Sequence, residues 1–166
     1  MPLETNPFAI LTFIAAPAVL TNASSVLALG TSNRFARNVD RLRVIIKLLD
    51  VEKDAANTPL TELYRDQIRQ YERRGSLLVR ALSSLYFSIG CFAGGSLMSL
   101  LGAILASSNH PNLLQPVLIL ALLAGTAGLS GLVVGCTLLV RETRLAMHTI
   151  MEEAALYRTH FGGERA

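Results

Sequence analysis

The hydrophobic pattern of this chain is dominated by three long stretches without a charged side chain: Phe8 to Thr31, Ala81 to Asn109 and Pro116 to Val140. A helix rises about 1.5 Å per residue and the hydrocarbon core of a bilayer is roughly 30 Å thick, so each stretch is long enough to span it. The pattern predicts an all-α integral membrane protein with three transmembrane helices, at about 8–31, 81–108 and 116–140. Past the first span the pattern changes without stopping. Phe35, Val39, Leu42, Ile46 and Leu49 recur at spacings of 4, 3, 4 and 3, which extends the first helix as an amphipathic arm. Thr58 as N-cap and Pro59 as first helical residue start a returning arm, with Leu60, Tyr64, Ile68, Tyr71 and Leu78 as its apolar side. The expected arrangement is an antiparallel, coiled-coil-like hairpin over about 33–80 that runs into the second span through Arg80. Gly75 beside Ser76 is its expected flex point. A tail over 141–166 completes a single membrane domain.

Charge orients this layout. Hydrophobic residues make up 51% of the 166 residues and charged ones 16%, almost all of the latter outside the apolar stretches, which is the segregation that lipid imposes. The connector from Arg34 to Arg80 carries 11 basic and 7 acidic residues and the tail from Arg141 carries 4 of each, whereas the loop Ser107 to Gln115 has no charged residue. The positive-inside bias then puts connector and tail in the cytoplasm, with the N-terminus and the His110 loop outside. The basic pI of 9.2 is explained by this topology, and nucleic acid is not an expected partner, because the arginines hug the membrane and alternate with acids. The first span lacks the basic leader of a secretory signal and is followed by Arg34, Arg37 and Arg41, so it is expected to be retained. Pro17 removes a backbone donor within it and predicts a kink, satisfied by Thr21 or by a neighbouring helix.

Small residues line two spans. Ser84, Ser88, Cys91, Gly95, Ser99, Gly102 and Ala106 follow one another at three- or four-residue spacing on the second, and Ala124, Gly128, Gly131 and Gly135 on the third. In lipid, helices associate by close backbone packing, so these are the faces where neighbours dock, either within the chain or between copies of it. The first span carries Thr21, Asn22, Ser25 and Ser32, with Asn33 at its cytoplasmic edge. An amide in hydrocarbon needs a partner, so Asn22 is expected to face protein or water. It serves either as glue between helices or as the lining of a water-filled path between subunits.

The densest local signature is Ser-Asn-Arg-Phe-Ala-Arg-Asn-Val-Asp-Arg-Leu-Arg, from Ser32 to Arg43, where Asp40 stands three residues from both Arg37 and Arg43. Together with Arg73-Arg74, Arg80-Ala81 and Arg141-Glu142, and with the layout of spans over roughly Phe8 to Ile150, it resembles a bacterial three-span membrane family catalogued as domain of unknown function 2721. The resemblance implies the fold and the inner membrane of a bacterial cell, and supplies no activity. Three physical readings of the signature stand side by side. Arg34, Arg37, Arg41 and Arg80 anchor to anionic headgroups, each gaining on the order of 1 kcal/mol. Alternatively, Asp40 and Glu142 pair with Arg37, Arg41 or Arg80 in a buried network that locks the hairpin to the third helix. In the third, the arginines ring an oligomeric pore.

Catalytic chemistry finds no motif. His110, His148 and His160 are scattered between the outer loop and the tail, without metal-ligand spacing. Cys91 and Cys136 lie at different depths, about 15 Å and about 7 Å by the helical rise, and are expected to be free thiols. Glycines fall at packing periods and not in a phosphate-binding or dinucleotide fingerprint. The expectation is a non-catalytic protein without cofactor, acting as a scaffold or accessory subunit of a membrane assembly. Anionic lipid and docked protein, or further copies of the chain, are its expected partners. The alternative from another class is a small homo-oligomeric channel or transporter-like pore lined by the first span.

Overall fold

The computed structural model describes the backbone of residues 7–51, 59–107 and 111–161, and side chains at 15–50, 64–105, 114–147 and 151. Three helices account for all of these residues: α1 (Pro7–Val51), α2 (Pro59–Ser107) and α3 (Pro111–Phe161), of 45, 49 and 51 residues. Each begins with proline, whose fixed φ suits the first turn and whose missing N–H would have no partner there. Each arm of the expected hairpin is continuous with the expected span, and α3 runs on from Val140 to Phe161, so much of the expected tail is helix. Thr58 lies outside the described residues. α1 passes through Pro17, and the Thr21 hydroxyl donates to the carbonyl of Pro17 itself at 2.8 Å, one turn beyond the Phe13 carbonyl that proline leaves without a donor.

Two stretches, Tyr64–Leu105 and Leu114–Met147, are long and apolar enough to cross a membrane. The expected first span is described in side chain only from Ala15 onward, and residues 8–14 lie outside the described side chains.

The chain packs as two units, Met1–Gly30 with Leu82–Gly135 and Thr31–Ala81 with Cys136–Ala166. In the first unit each helix turns one narrow row inward. On α1 it is Pro17, Thr21, Ser24 and Ala28, on α2 Leu85, Ser88, Phe92, Gly95, Ser99 and Gly102, and on α3 Leu114, Val117, Ala121, Ala124, Gly128, Gly131 and Gly135, all buried or half-buried. Spacing alternates between three and four, so the rows keep to the same helix face. The closest approach lies where the ring of Phe92 covers Gly128: a Cβ there would sit 2.7 Å from the ring. At Gly131 it would meet the Ser88 hydroxyl at 2.6 Å, and the Ser84 hydroxyl donates to the Gly131 carbonyl at 2.7 Å. Gly95 and Gly102, by contrast, face Ala124 and Val117 at ordinary distances of 3.7 and 3.6 Å. The small-residue faces are thus used within the chain, and bulk is excluded on α3 more strictly than on α2. Cys91 and Cys136 are half-buried free thiols.

In the second unit α1 buries or half-buries Thr31, Phe35, Asn38, Leu42, Ile45 and Leu49. This corrects the sequence-derived face: Asn38 and Ile45 turn inward and Ile46 is 46% exposed, whereas Val39 is half-buried like Phe35, Leu42 and Leu49. On α2 the corresponding row is Tyr64, Gln67, Tyr71, Arg74, Leu78 and Ala81. Gly75 is no break, since α2 is continuous through it. It makes room for Asn38, whose Nδ2 lies 3.1 Å from where a Cβ would be.

These contacts rank the glycines. Gly131→Ala and Gly128→Ala should lose about 1–3 kcal/mol by overpacking. Gly90→Ala, with nothing within 4 Å of its Cβ position, should gain up to about 1 kcal/mol from helix propensity. Gly95→Ala and Gly102→Ala should fall between. Thermal unfolding followed by circular dichroism checks the order, and equal melting of Gly131→Ala and Gly90→Ala would mean that the inner row of α3 is not packed.

Candidate functional site: a polar node in the second unit

The inward rows of the second unit carry charge. Arg74 and Glu142 both fall on three-or-four spacing with apolar neighbours, Arg74 between Tyr71 and Leu78 and Glu142 after Leu138. Helix geometry therefore turns them toward the other helices, while Arg73 and Arg141, one residue away, are exposed. The Glu142 side chain is 5% exposed, and its Oε1 accepts from both Nε and Nη2 of Arg74 at 3.1 and 2.9 Å. Its other oxygen faces Nη1 of Arg34 at 3.8 Å, and the same nitrogen lies 3.4 Å from the Thr143 hydroxyl it donates to. The Arg74 guanidinium also stands over the Tyr71 ring, 5.8 Å from its centroid, within cation–π range. Asn38 Nδ2 donates to the Tyr71 carbonyl at 3.0 Å, and Asn38 Oδ1 is buried without a hydrogen-bond partner among the described residues. One carboxylate, two guanidiniums and an amide thus tie α1, α2 and α3 together. A carboxylate so enclosed is stable in its charged form only while a cation stays against it.

The residues singled out from the sequence divide around this node. Arg34 and Glu142 belong to it. Asp40 is exposed and meets Arg43 at 4.0 Å, both side chains more than 70% exposed, a pair of little energetic weight. Arg37 is exposed and its Nε donates to the Asn33 carbonyl on its own helix at 3.3 Å. Asn33, Arg41 and Arg80 are exposed as well. Asp40 and Arg41 border an open groove of about 470 Å³ with Val44, Ile45, Gln67 and Tyr71. Glu142 therefore takes its cations from Arg74 and Arg34, and not from Arg37, Arg41 or Arg80. In the first unit, Asn22 is exposed, whereas Gly95, Gly102, Gly128 and Gly135 are buried. Ser24, absent from the expected polar stripe, is fully buried, and its hydroxyl has no partner among the described residues. Arg74 and Asn38 carry a readable signal that the apolar count passes over: each is a polar residue on the three-or-four line of its helix.

A family model described as a protein of unknown function, DUF2721, matches residues 14–152. The chain belongs to the DUF2721 family. No curated protein and no solved structure matches it. The stretch that aligns with DUF2721 contains every residue of the node, from Arg34 to Thr143.

Removing one side of the central pair of this DUF2721 protein should be costly. Arg74→Leu leaves Glu142 buried with only the distant Arg34, and should lose about 3–5 kcal/mol, while Arg74→Lys, which keeps the charge without the double contact, should lose less. Arg74→Leu combined with Glu142→Leu should recover most of the loss, since no charge is then stranded. Arg37→Lys and Asp40→Asn should stay within about 0.5 kcal/mol of the parent, as exposed changes do. Denaturant or thermal unfolding of the five proteins decides it; a double variant no more stable than Arg74→Leu would refute the pairing.

Proposed function

We propose that this protein is a non-catalytic membrane component that crosses the bilayer three times, a scaffold or accessory subunit of a larger membrane assembly. One observation carries the membrane reading. In the most apolar 18 residues of the α2 and α3 stretches, the chain itself buries only 22% and 17%. Leu97 is 62% exposed and Leu122 69%. In water such helices would be covered by their own fold, whereas in lipid uncovered Leu and Val are the stable surface. The division into units adds support. Its boundaries after Gly30, Ala81 and Gly135 fall close to the ends of the charge-free stretches at Thr31, Ala81 and Val140.

In this reading the first unit lies in the bilayer of a bacterial inner membrane, α1 supplies the third crossing from about residue 8 to 31, and the N-terminus is outside. The second unit is a cytoplasmic coiled-coil-like hairpin joined by the end of α3. Arg37, Arg41 and Arg80 face anionic headgroups or solvent, and Arg74 and Glu142 hold the arms. Scaffolding suits a molecule whose polar groups tie its own helices together and whose groove of Asp40, Arg41, Val44, Ile45, Gln67 and Tyr71 offers a mixed surface to a cytoplasmic partner.

Topology tests the reading directly. In a variant lacking Cys91 and Cys136, a cysteine replacing Gln115 should react with an impermeant thiol reagent applied to intact cells, and one replacing Lys47 should react only after lysis. Both positions are exposed. Labelling of Lys47→Cys from outside would reverse the orientation. Purification in native-lipid particles addresses the role: stoichiometric recovery with another membrane protein is expected, whereas a closed ring of this chain alone that conducts ions in planar bilayers would make it a pore.

A further inference from the structure

We propose that a second copy of this chain packs against the outward face of α1, with Asn22 of the two copies hydrogen-bonded to each other. The inference rests on the membrane reading above. Behind the inward row of α1, Ala15, Val19, Asn22, Val26 and Leu29 form an outward row at spacings of 4, 3, 4 and 3. Val19, Val26 and Leu29 are 66%, 64% and 65% exposed. Asn22 is the carboxamide in the middle of this row, about 13 Å from Thr31 along the helix. In the first unit only one other described side chain, Gln115 near the start of α3, is a carboxamide.

Three exposed hydroxyls of this unit are satisfied by their own helix, whereas those of Ser83 and Tyr86, close to Arg80 at the start of the charge-free stretch of α2, make no hydrogen bond among the described residues. Ser25 donates to the Thr21 carbonyl at 2.8 Å, Thr126 to those of Leu122 and Leu123 at 3.1 and 3.0 Å, and Ser130 to that of Thr126 at 2.9 Å. Asn22 makes no hydrogen bond among the described residues. Its side chain has two donor hydrogens and an acceptor oxygen, and lipid tails provide a partner for neither. A second copy does, because carboxamides are complementary to themselves: across a two-fold axis each oxygen accepts from the other's nitrogen. The small-residue rows, the obvious alternative for self-association, are occupied by the chain's own Phe92 and Ser88 at Gly128 and Gly131.

Cross-linking in native membranes tests the contact. With Cys91 and Cys136 replaced by alanine, Val19→Cys and Val26→Cys should each give a disulfide-linked species of twice the monomer mass on mild oxidation. Leu122→Cys, exposed on α3, should give only a background level. Adding Asn22→Leu should weaken dimerisation at least about threefold and Asn22→Gln should retain it. Native-lipid particles should hold two copies of this chain, counted by single-molecule photobleaching of labelled protein, whether or not another protein is recovered with them. Cross-linking no stronger at Val19 and Val26 than at Leu122, a monomeric particle, or cross-links to a different protein would overturn the second copy while leaving the membrane reading intact. Release of the protein from membranes by alkaline carbonate would remove the membrane reading itself, and the contact with it.

Discussion

A carboxylate taken out of water must keep a cation against it, and Glu142 meets that demand only when three helices stand in one register. Arg74 on α2 supplies two nitrogens to one oxygen and Arg34 on α1 approaches the other. Neither can be moved by a helical turn without leaving its partner, because a turn displaces a side chain by about 5.4 Å. The rest of the second unit is arranged around this requirement. Tyr71 sits beneath the Arg74 guanidinium and its carbonyl takes the Asn38 amide. Gly75, next in sequence to Arg74, leaves the space into which Asn38 fits. Leu78, Ala81 and Ile45 are buried beside them, and the polar contacts dictate which residues share a level.

The first unit solves a different problem with the same spacing. In the membrane reading proposed above, its helices gain little from removing apolar surface from a surrounding that is itself apolar, so contact distance decides how well they hold together. Gly128 and Gly131 admit the Phe92 ring and the Ser88 hydroxyl, and the Ser84–Gly131 hydrogen bond adds a polar link across α2 and α3. Serine is suited to this position: its hydroxyl can cap a carbonyl of its own helix, as Ser88 and Ser96 do, or reach across to another, without the bulk of an amide. Asn22, which is larger and has more groups to satisfy, is left on the outside.

Much of this is legible in the sequence, and the reasons for the exceptions are physical. Helix number among the described residues, the start at Pro59 and the continuity of α1 and α2 beyond their charge-free stretches follow from those stretches and from periodicity. Counting apolar residues sets the α1 face one residue off at Ile46, because such residues stand on both sides of the true row, and it passes over Asn38, which no apolar count will place inside. The same bias hides Arg74. Asp40 stands out through its arginine neighbours, yet charges three apart on one exposed helix face interact mostly with water. Glu142 is visible as a candidate, but its cations are not, since sequence spacing says nothing of which side chain on another helix comes level with it. Small-residue stripes are equally plain, while the ranking of Gly131 above Gly95 depends on where the Phe92 ring and the Ser88 hydroxyl fall.

A buried ion pair is a weak source of stability, since apolar side chains of similar volume would do as well or better. Its effect here lies in what it forbids. Rows that repeat every three or four residues are nearly self-similar, so sliding one helix by seven residues, about 10 Å, restores much of the same apolar contact. Such a slip of α3 would bring Arg74 level with an uncharged residue, Gly135 in one direction and Thr149 in the other, and would take the Glu142 carboxylate away from its double contact with Arg74. The apolar rows accept several registers; the charges accept one. That is why a single glutamate among the apolar positions of α3 matters more to the arrangement of the arms than the many exposed arginines around it.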